Sequence, residues 1–529
     1  MTNPNPLTEN ELRAAAYFAV GVTSEGSIAG RDVAYRLSFA GNVGAGGRME
    51  PVANSGYSLG TLQIDLGQHP EVARDLLDSY QVWAATHPDR AALELGQNEY
   101  DAMLESLQRT GRQMRAENAV DIDRSSINRF LASDAGRTFV HGLDTEHVNG
   151  VTAADVVVGN RDSALERLQR TELYRNGTGD DQAELAGMLM KLQNQAGRRH
   201  WPGLLDRVEA GTLTSPDDVK AAIDGLLPNQ RNGNPDYLQS GADNTLRGIE
   251  VLNALRGADP GNPMMRAWSN VTANPLIGPV AAHQPNAANP NLGFEYDTVR
   301  SLFLTPEASR RFIVALDSGG SLAEGSPQPQ ANGRRQAGFY VSGDDFVHWN
   351  QDGRGQAFIG GQWRSIDPDN VTRVRNVDGT TELTIDENGR QTTLLRMDPR
   401  TPALRANATM MLEQAGPALD DGGRVSVDAV RQRAERREES GDSRIHQTGQ
   451  NRGAEHQEAA RMPAPTFESP YLNRMLAAVA AGDETSANRI LREYAQSPEG
   501  VAFLEKAQQP LVRQQVEERE VQQQPVRQA

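Results

Sequence analysis

The sequence predicts a multi-domain α+β protein. It divides into a mostly helical N-terminal domain with a small β region, a small antiparallel β module, and a helical C-terminal module with a disordered tail. Three observations predict this. At 529 residues the chain is too long for one ordinary core. Its apolar spacing switches between helical and alternating periods along the chain. Stretches rich in Pro, Asn and Gly, or in charge, separate the patterned segments.

The first element is a helix. Thr8 and Glu11 have the capping-box spacing, a hydroxyl followed three residues later by Glu. Leu12, Ala15, Phe18 and Ala19 follow at helical spacing, and Gly21 is the expected terminator. From Val33 the period becomes two, through Tyr35, Leu37 and Phe39, which reads as a strand. A Gly-rich turn follows, and Tyr57 to Ile64 forms a second extended piece. Beyond Pro70 the pattern is helical to about residue 258, which closes a domain over 1–258.

Residues 259–293 (NPLIGPVAAHQPNAANPN within them) read as a linker. Residues 294–400 form the β module. It opens on a short helix with Thr305 as N-cap and Pro306 at its first position. Short alternating runs then follow: Phe339–Val341, Asp345–Trp349, Gln356–Ile359, Trp363–Ile366, Val371–Val374, Glu382–Ile385 and Thr392–Leu395. The turn signals QDGRG, NVDGT and DENGR separate runs along this stretch. Residues 401–468 read as a polar helix and linker. Helical period returns at Leu472, Met475, Leu476 and Val479, so 469–529 is a helical module ending in a Gln-rich tail.

Composition narrows the function classes. There are no cysteines, so disulfides and zinc–thiolate sites are excluded. A net charge of −17 opposes binding to nucleic acid or anionic membranes. The N-terminal stretch lacks a basic region followed by an apolar one, so no Sec signal is expected, and no apolar run is long enough for membrane insertion. A product made in the cytoplasm and acting on an external substrate therefore needs another route out.

The chemistry concentrates in residues 24–70. Glu25 stands just beyond a helix, and Gln63 and Asp65 follow in a Gly-rich stretch. Glycoside cleavage needs a carboxylic acid that protonates the departing oxygen. The negative end of the helix and burial against Tyr35, Phe39 or Tyr57 would keep Glu25 protonated. Asp65 is the candidate second carboxylate, with Asp32 behind it. Gly56 and Gly60 would let a sugar approach the backbone.

The stretch Ser55-Gly56-Tyr57-Ser58-Leu59-Gly60-Thr61-Leu62-Gln63-Ile64-Asp65 resembles the Gly-x-Gly-Leu-Met-Gln-Val-Asp stretch of goose-type lysozymes and related lytic transglycosylases. The resemblance covers roughly residues 10–70. It implies a lysozyme-like fold, Glu25 as the acid, and a cleft lined by Gly60 and Gln63, with Asp65 matching the Asp that closes the motif; with the residue reading, Asp32 and Tyr57 complete the expected glycan site, and no cofactor or metal is expected. The gap from Glu25 to the motif is longer here, and Thr61-Leu62 stands where the family has Leu-Met. No later Ala-Tyr-Asn-Ala-Gly-like motif follows, which favours a muramidase over a transglycosylase.

The stretches Leu472–Asp483 and Ser497-Pro498-Glu499-Gly500 resemble the recognition domain of antibacterial type IV secretion effectors of the Xanthomonas type. That implies a coupling ATPase as export partner, a periplasmic immunity protein, and peptidoglycan of a target bacterium as substrate. A phage endolysin, or a tail-associated protein that binds wall through a degenerate lysozyme fold, is the alternative.

Other candidates read as structure. His69, His141, His147 and His200 lack metal-ligand spacing. Asp180-Asp181, Asp386–Gly389 and Asp420–Gly423 read as turns, since none completes a calcium loop. Trp349 and Trp363 read as core of the β module rather than a sugar-stacking face. No nucleophile elbow is present.

Overall fold

The computed structural model describes residues 5–28, 30–52, 54–152, 164–226, 237–330, 335–387 and 389–397. The helix Glu9–Ala14 begins as the sequence implies. Thr8 accepts from the Glu11 backbone amide and Glu11 closes the box. The chain does not stop at Gly21. It continues as a π-helix, Ala15–Glu25, whose residues 15–23 are all buried. The cap amide of Gly26 donates to Gly21 O at 2.7 Å. Gly21 is there for packing: a Cβ on it would lie 2.7 Å from Thr61 Cγ2. A helix that is apolar all round belongs inside a protein. This one is surrounded by the helices Gly179–Ala196, Tyr237–Gly257 and Leu292–Leu304.

The small β region is more broken than its alternation suggests. Two-residue strands β1 (Ser27–Ile28) and β2 (Arg31–Asp32) pair, then β3 (Ser38–Phe39). β4 (Gly41–Val43) pairs with β5 (Met49–Pro51). β6 (Tyr57–Leu59) lies between β3 and β7 (Ile64–Asp65), with Ser38 opposite Ser58 and Ser58 opposite Asp65. Residues 60–63 are a turn, so the second extended piece is two short strands.

Residues 259–293 hold helices where a linker was expected. Pro263–Thr272 starts with Asn262 accepting from Met264 N at 2.8 Å and has Pro263 in its first turn, and its Trp268 is buried. Pro279–Ala282 follows. The Pro and Asn read as breakers are helix-starting residues here. Helices Leu292–Leu304 and Pro306–Asp317 also join the main core through Tyr296, Phe303 and Phe312. At Pro306–Asp317 the sequence-predicted cap Thr305 makes no side-chain capping bond.

The β module follows as a meander of β8 (Ser321–Glu324), β9 (Gly338–Ser342), β10 (Asp345–Trp349), β11 (Gly355–Ile359) and β12 (Gln362–Ile366), paired in chain order. A second sheet contains β13 (Val371–Arg375), β14 (Thr381–Glu387) and β15 (Arg390–Met397). Phe312 stacks on Phe339 at 4.6 Å, so the main core runs on into the first sheet. Trp349 is fully buried on Tyr340, as core of the module, whereas Trp363 is half-buried and packs against Phe358 at the edge of the main core. The chain is thus an α+β protein, mainly helical with several small antiparallel sheets. Contacts group Met1–Ser426 as one unit, without a break at 258 or 294. The expected modules 401–468 and 469–529 lie outside the described residues.

Candidate active site

Glu25 is the last residue of the π-helix, and its side chain keeps 20% exposure. Two donors from the Gly179–Ala196 helix converge on its Oε1. Lys191 Nζ forms an ion pair with it, and Asn194 Nδ2 donates at 3.1 Å. Residues three apart on a helix share a face, which is why both reach one oxygen. Oε2 accepts no hydrogen bond among the described residues.

Lys191 is 2% exposed. Burial lowers its pKa below the ordinary lysine value, and the Glu25 charge pulls it part of the way back. Its stem fits because the facing helix carries Gly241: a Cβ there would lie 2.6 Å from Lys191 Cε. Asn194 directs its amide nitrogen to Glu25, so its oxygen is the acceptor for His147 Nε2 at 2.8 Å. Burial depresses the His147 pKa, which favours the neutral ring. Asn194 also reaches Leu62 O at 3.5 Å, tying the site to the motif turn.

That turn is held by its own polar groups. Gly60 has φ +86° and Gln63 has φ +52°. Gln63 Nε2 donates to Gly60 O at 2.8 Å, while its Oε1 accepts from Ser58 Oγ at 3.1 Å. Thr61 N donates to Oδ1 of buried Asp144 at 2.8 Å. Burial pushes the Asp144 carboxyl up to about 6.

The remaining sequence candidates do other work. Asp65 Oδ2 accepts from Gly56 N at 3.1 Å and Oδ1 from Gly67 N at 2.9 Å, which clamps the loop; no bond joins it to Glu25 among the described residues. Tyr57 is 1% exposed, and its hydroxyl donates to Asp121 at 2.7 Å, so it faces the core and not a cleft. Asp32 pairs with buried Arg300 through Nε at 2.8 Å and Nη2 at 3.2 Å. Arg300 also donates to Tyr17 Oη at 2.9 Å and reaches Thr61 Oγ1 at 3.5 Å. Tyr35 lies under the Arg137 and Arg300 guanidiniums, and Phe39 packs beside Tyr57.

Sequence reasoning missed Lys191, Asn194, Asp144 and Arg300, and read His147 as structure. One signal was available. The chain has three lysines among 53 basic residues, and Lys191 interrupts the apolar run Leu185–Leu192. A lysine chosen where arginine is the rule, on a buried face, marks a cation with a task. No group of three His, Cys, Asp or Glu suited to a metal occurs among the described residues. Comparisons with models of protein families, with curated proteins and with solved structures found no match to this chain.

Proposed function

We propose that the chain cleaves the glycan strands of peptidoglycan in the manner of a lysozyme-like enzyme, with Glu25 as the proton donor. The observation that carries this reading is the Glu25 carboxylate. It sits at the exit of a buried helix, its Oε1 is fixed by Lys191 and Asn194, and its Oε2 accepts no hydrogen bond among the described residues. Two fixed donors on one oxygen leave the other to face the glycosidic oxygen. In this scheme Lys191 and Asn194 hold Oε1, and the proton that is donated sits on Oε2, taken from water before the sugar binds. It passes to the departing glycosidic oxygen as the C–O bond breaks, leaving a carboxylate beside Lys191. His147 and Asn194 hold the geometry.

One observation favours a second outcome for the same site. Both Asp65 oxygens are held by backbone amides, so Glu25 lacks the ionised partner that two-carboxylate hydrolysis uses. A single carboxyl suffices when the substrate's own 6-hydroxyl attacks: Glu25 protonates the leaving oxygen and then takes the hydroxyl proton. That is lytic transglycosylation. Mass spectrometry of the released muropeptides separates the two, since only this route leaves 1,6-anhydro ends.

The test of the reading is cleavage of purified peptidoglycan by the full chain and by Glu25→Gln. Removing a general acid lowers the rate about 10²–10⁴-fold. Equal activity in the two proteins would discard Glu25. Export as an antibacterial effector through the C-terminal segment belongs to the same proposal. It is checked by transfer of a reporter fusion into neighbouring cells, with and without residues 469–529.

A further inference from the structure

Two cavities of about 560 and 210 Å³ lie between the helical body and the first β sheet. Arg137, Asp297, Arg354 and Gln356 line both, so they form one cleft with two lobes. The larger lobe alone is in the size range of small-ligand sites, roughly 300–1,000 Å³.

The charges in the smaller lobe do not cancel internally. Asp32 is neutralised by Arg300, and Asp297 pairs with His283 at 3.2 Å. Arg36, Arg137 and Arg354 remain, and none is in an ion pair among the described residues. Against them stands Asp352. Three guanidiniums without an ion pair share one concavity in a chain of net charge −17, where carboxylate partners are plentiful, and Arg137 lies over the Tyr35 ring at 5.6 Å. Two buried polar atoms at the same place also lack partners: Arg137 Nε has no acceptor and Gln356 Oε1 has no donor, with Gln356 5% exposed. The larger lobe adds Asp134 and Asp367 on its own side. Arg36 is thus confined to the smaller lobe, Asp134 and Asp367 to the larger, and Arg137 and Arg354 stand between them.

We propose that this cleft binds a short acidic peptide bearing a free amine, the peptide stem carried by the glycan. The identity of that ligand rests on the glycan-cleaving reading of Glu25. Guanidinium groups pair carboxylates in two-point contacts, and a concave wall strengthens the attraction. Arg36, Arg137 and Arg354 take the carboxylates, while Asp134 and Asp367 face the amine. The motif turn links the two sites: Thr61 touches Arg300 at the cleft, and Leu62 O touches Asn194 at Glu25. A strand whose sugar lies at Glu25 thus has its stem received on the other side of one turn.

The probe is the tripeptide L-Ala-γ-D-Glu-diaminopimelate, titrated calorimetrically into the full chain, beside the same peptide with its carboxylates amidated. We expect the acid form to bind, the amide form to bind at least tenfold more weakly, and Arg354→Gln and Arg137→Gln each to weaken the acid form about tenfold. Arg354 is exposed, so Arg354→Gln should melt with the wild type. Glu25→Gln should bind the peptide normally. No binding by the wild type at millimolar peptide, equal binding of the amide, or an unchanged Arg354→Gln overturns the proposal. Peptide binding without glycan cleavage sinks the Glu25 reading and leaves the cleft; cleavage without peptide binding does the reverse.

Discussion

The Glu25–Lys191 pair should be thermodynamically lopsided. Glu25→Gln removes the partner of a cation that is 2% exposed, whereas Lys191→Met removes the cation and leaves a carboxylate that is 20% exposed and still bonded to Asn194. Breaking a buried pair from one side costs about 3–5 kcal/mol. The ceiling at Lys191 follows from its proton. From an ordinary value of 10.5, releasing it at pH 7 costs about 4.8 kcal/mol, because each pKa unit is worth about 1.4 kcal/mol. Glu25→Gln should therefore lower the melting temperature by about 6–10 °C at pH 7, taking about 2 °C per kcal/mol for a large domain. Lys191→Met loses an attraction of about 4 kcal/mol but also sheds the ammonium's desolvation. Its net change should stay within about 2 kcal/mol, and the double variant should resemble it. The pH dependence has a definite sign. In Glu25→Gln the buried Lys191 holds its proton less tightly in the folded than in the unfolded state, so stability rises with pH until the unfolded lysine titrates near 10.5. The deficit should therefore shrink between pH 7 and pH 9. Thermal unfolding followed by circular dichroism at both pH values checks this. A Glu25→Gln protein that melts within about 1 °C of wild type, or a deficit that does not shrink at pH 9, refutes the buried pair.

Asp144 gives a prediction of opposite slope. Its folded pKa of about 6 lies above the ordinary 3.8, so the wild type loses stability as pH rises through that window, by at most about 3 kcal/mol. Asp144→Asn keeps an acceptor for Thr61 N and should melt higher than wild type at pH 7 but not at pH 4; equal melting at pH 7 would contradict the buried charge. Gly60→Ala must adopt φ +86° with its Cβ 2.9 Å from Asp144 Oδ1, so it should cost about 1–3 kcal/mol and reduce glycan cleavage. A variant as stable and active as wild type would show that the turn tolerates a side chain.

Local signals carried much of the fold. The Thr8 capping box and the strands from Phe339 to Thr392 were legible because caps and turns are written in adjacent residues. β8 was not, since Ser321–Glu324 has little alternation to show. Residues 259–293 misread because Pro and Asn mark both loops and helix starts, and only burial of Trp268 decides between them. Gly21 looked like a helix end because its other use, making room for Thr61, involves a residue forty positions away.

The site divides along the same line, and the division bears on mechanism. Glu25 could be found from its position after a helix. Its partners lie 166 and 169 residues further on and leave no local trace beyond a lysine in an apolar run. The motif residues that drew attention, Gln63 and Asp65, bond to Gly60, Ser58, Gly56 and Gly67 of their own loop. They build the turn that presents Leu62 O to Asn194 and Thr61 to Arg300. Mutating them should therefore act through the position of Glu25's neighbours, and the chemistry itself should respond to Glu25 and Lys191. On the proposed reading the motif is scaffold, and the acid is a residue that the motif does not contain.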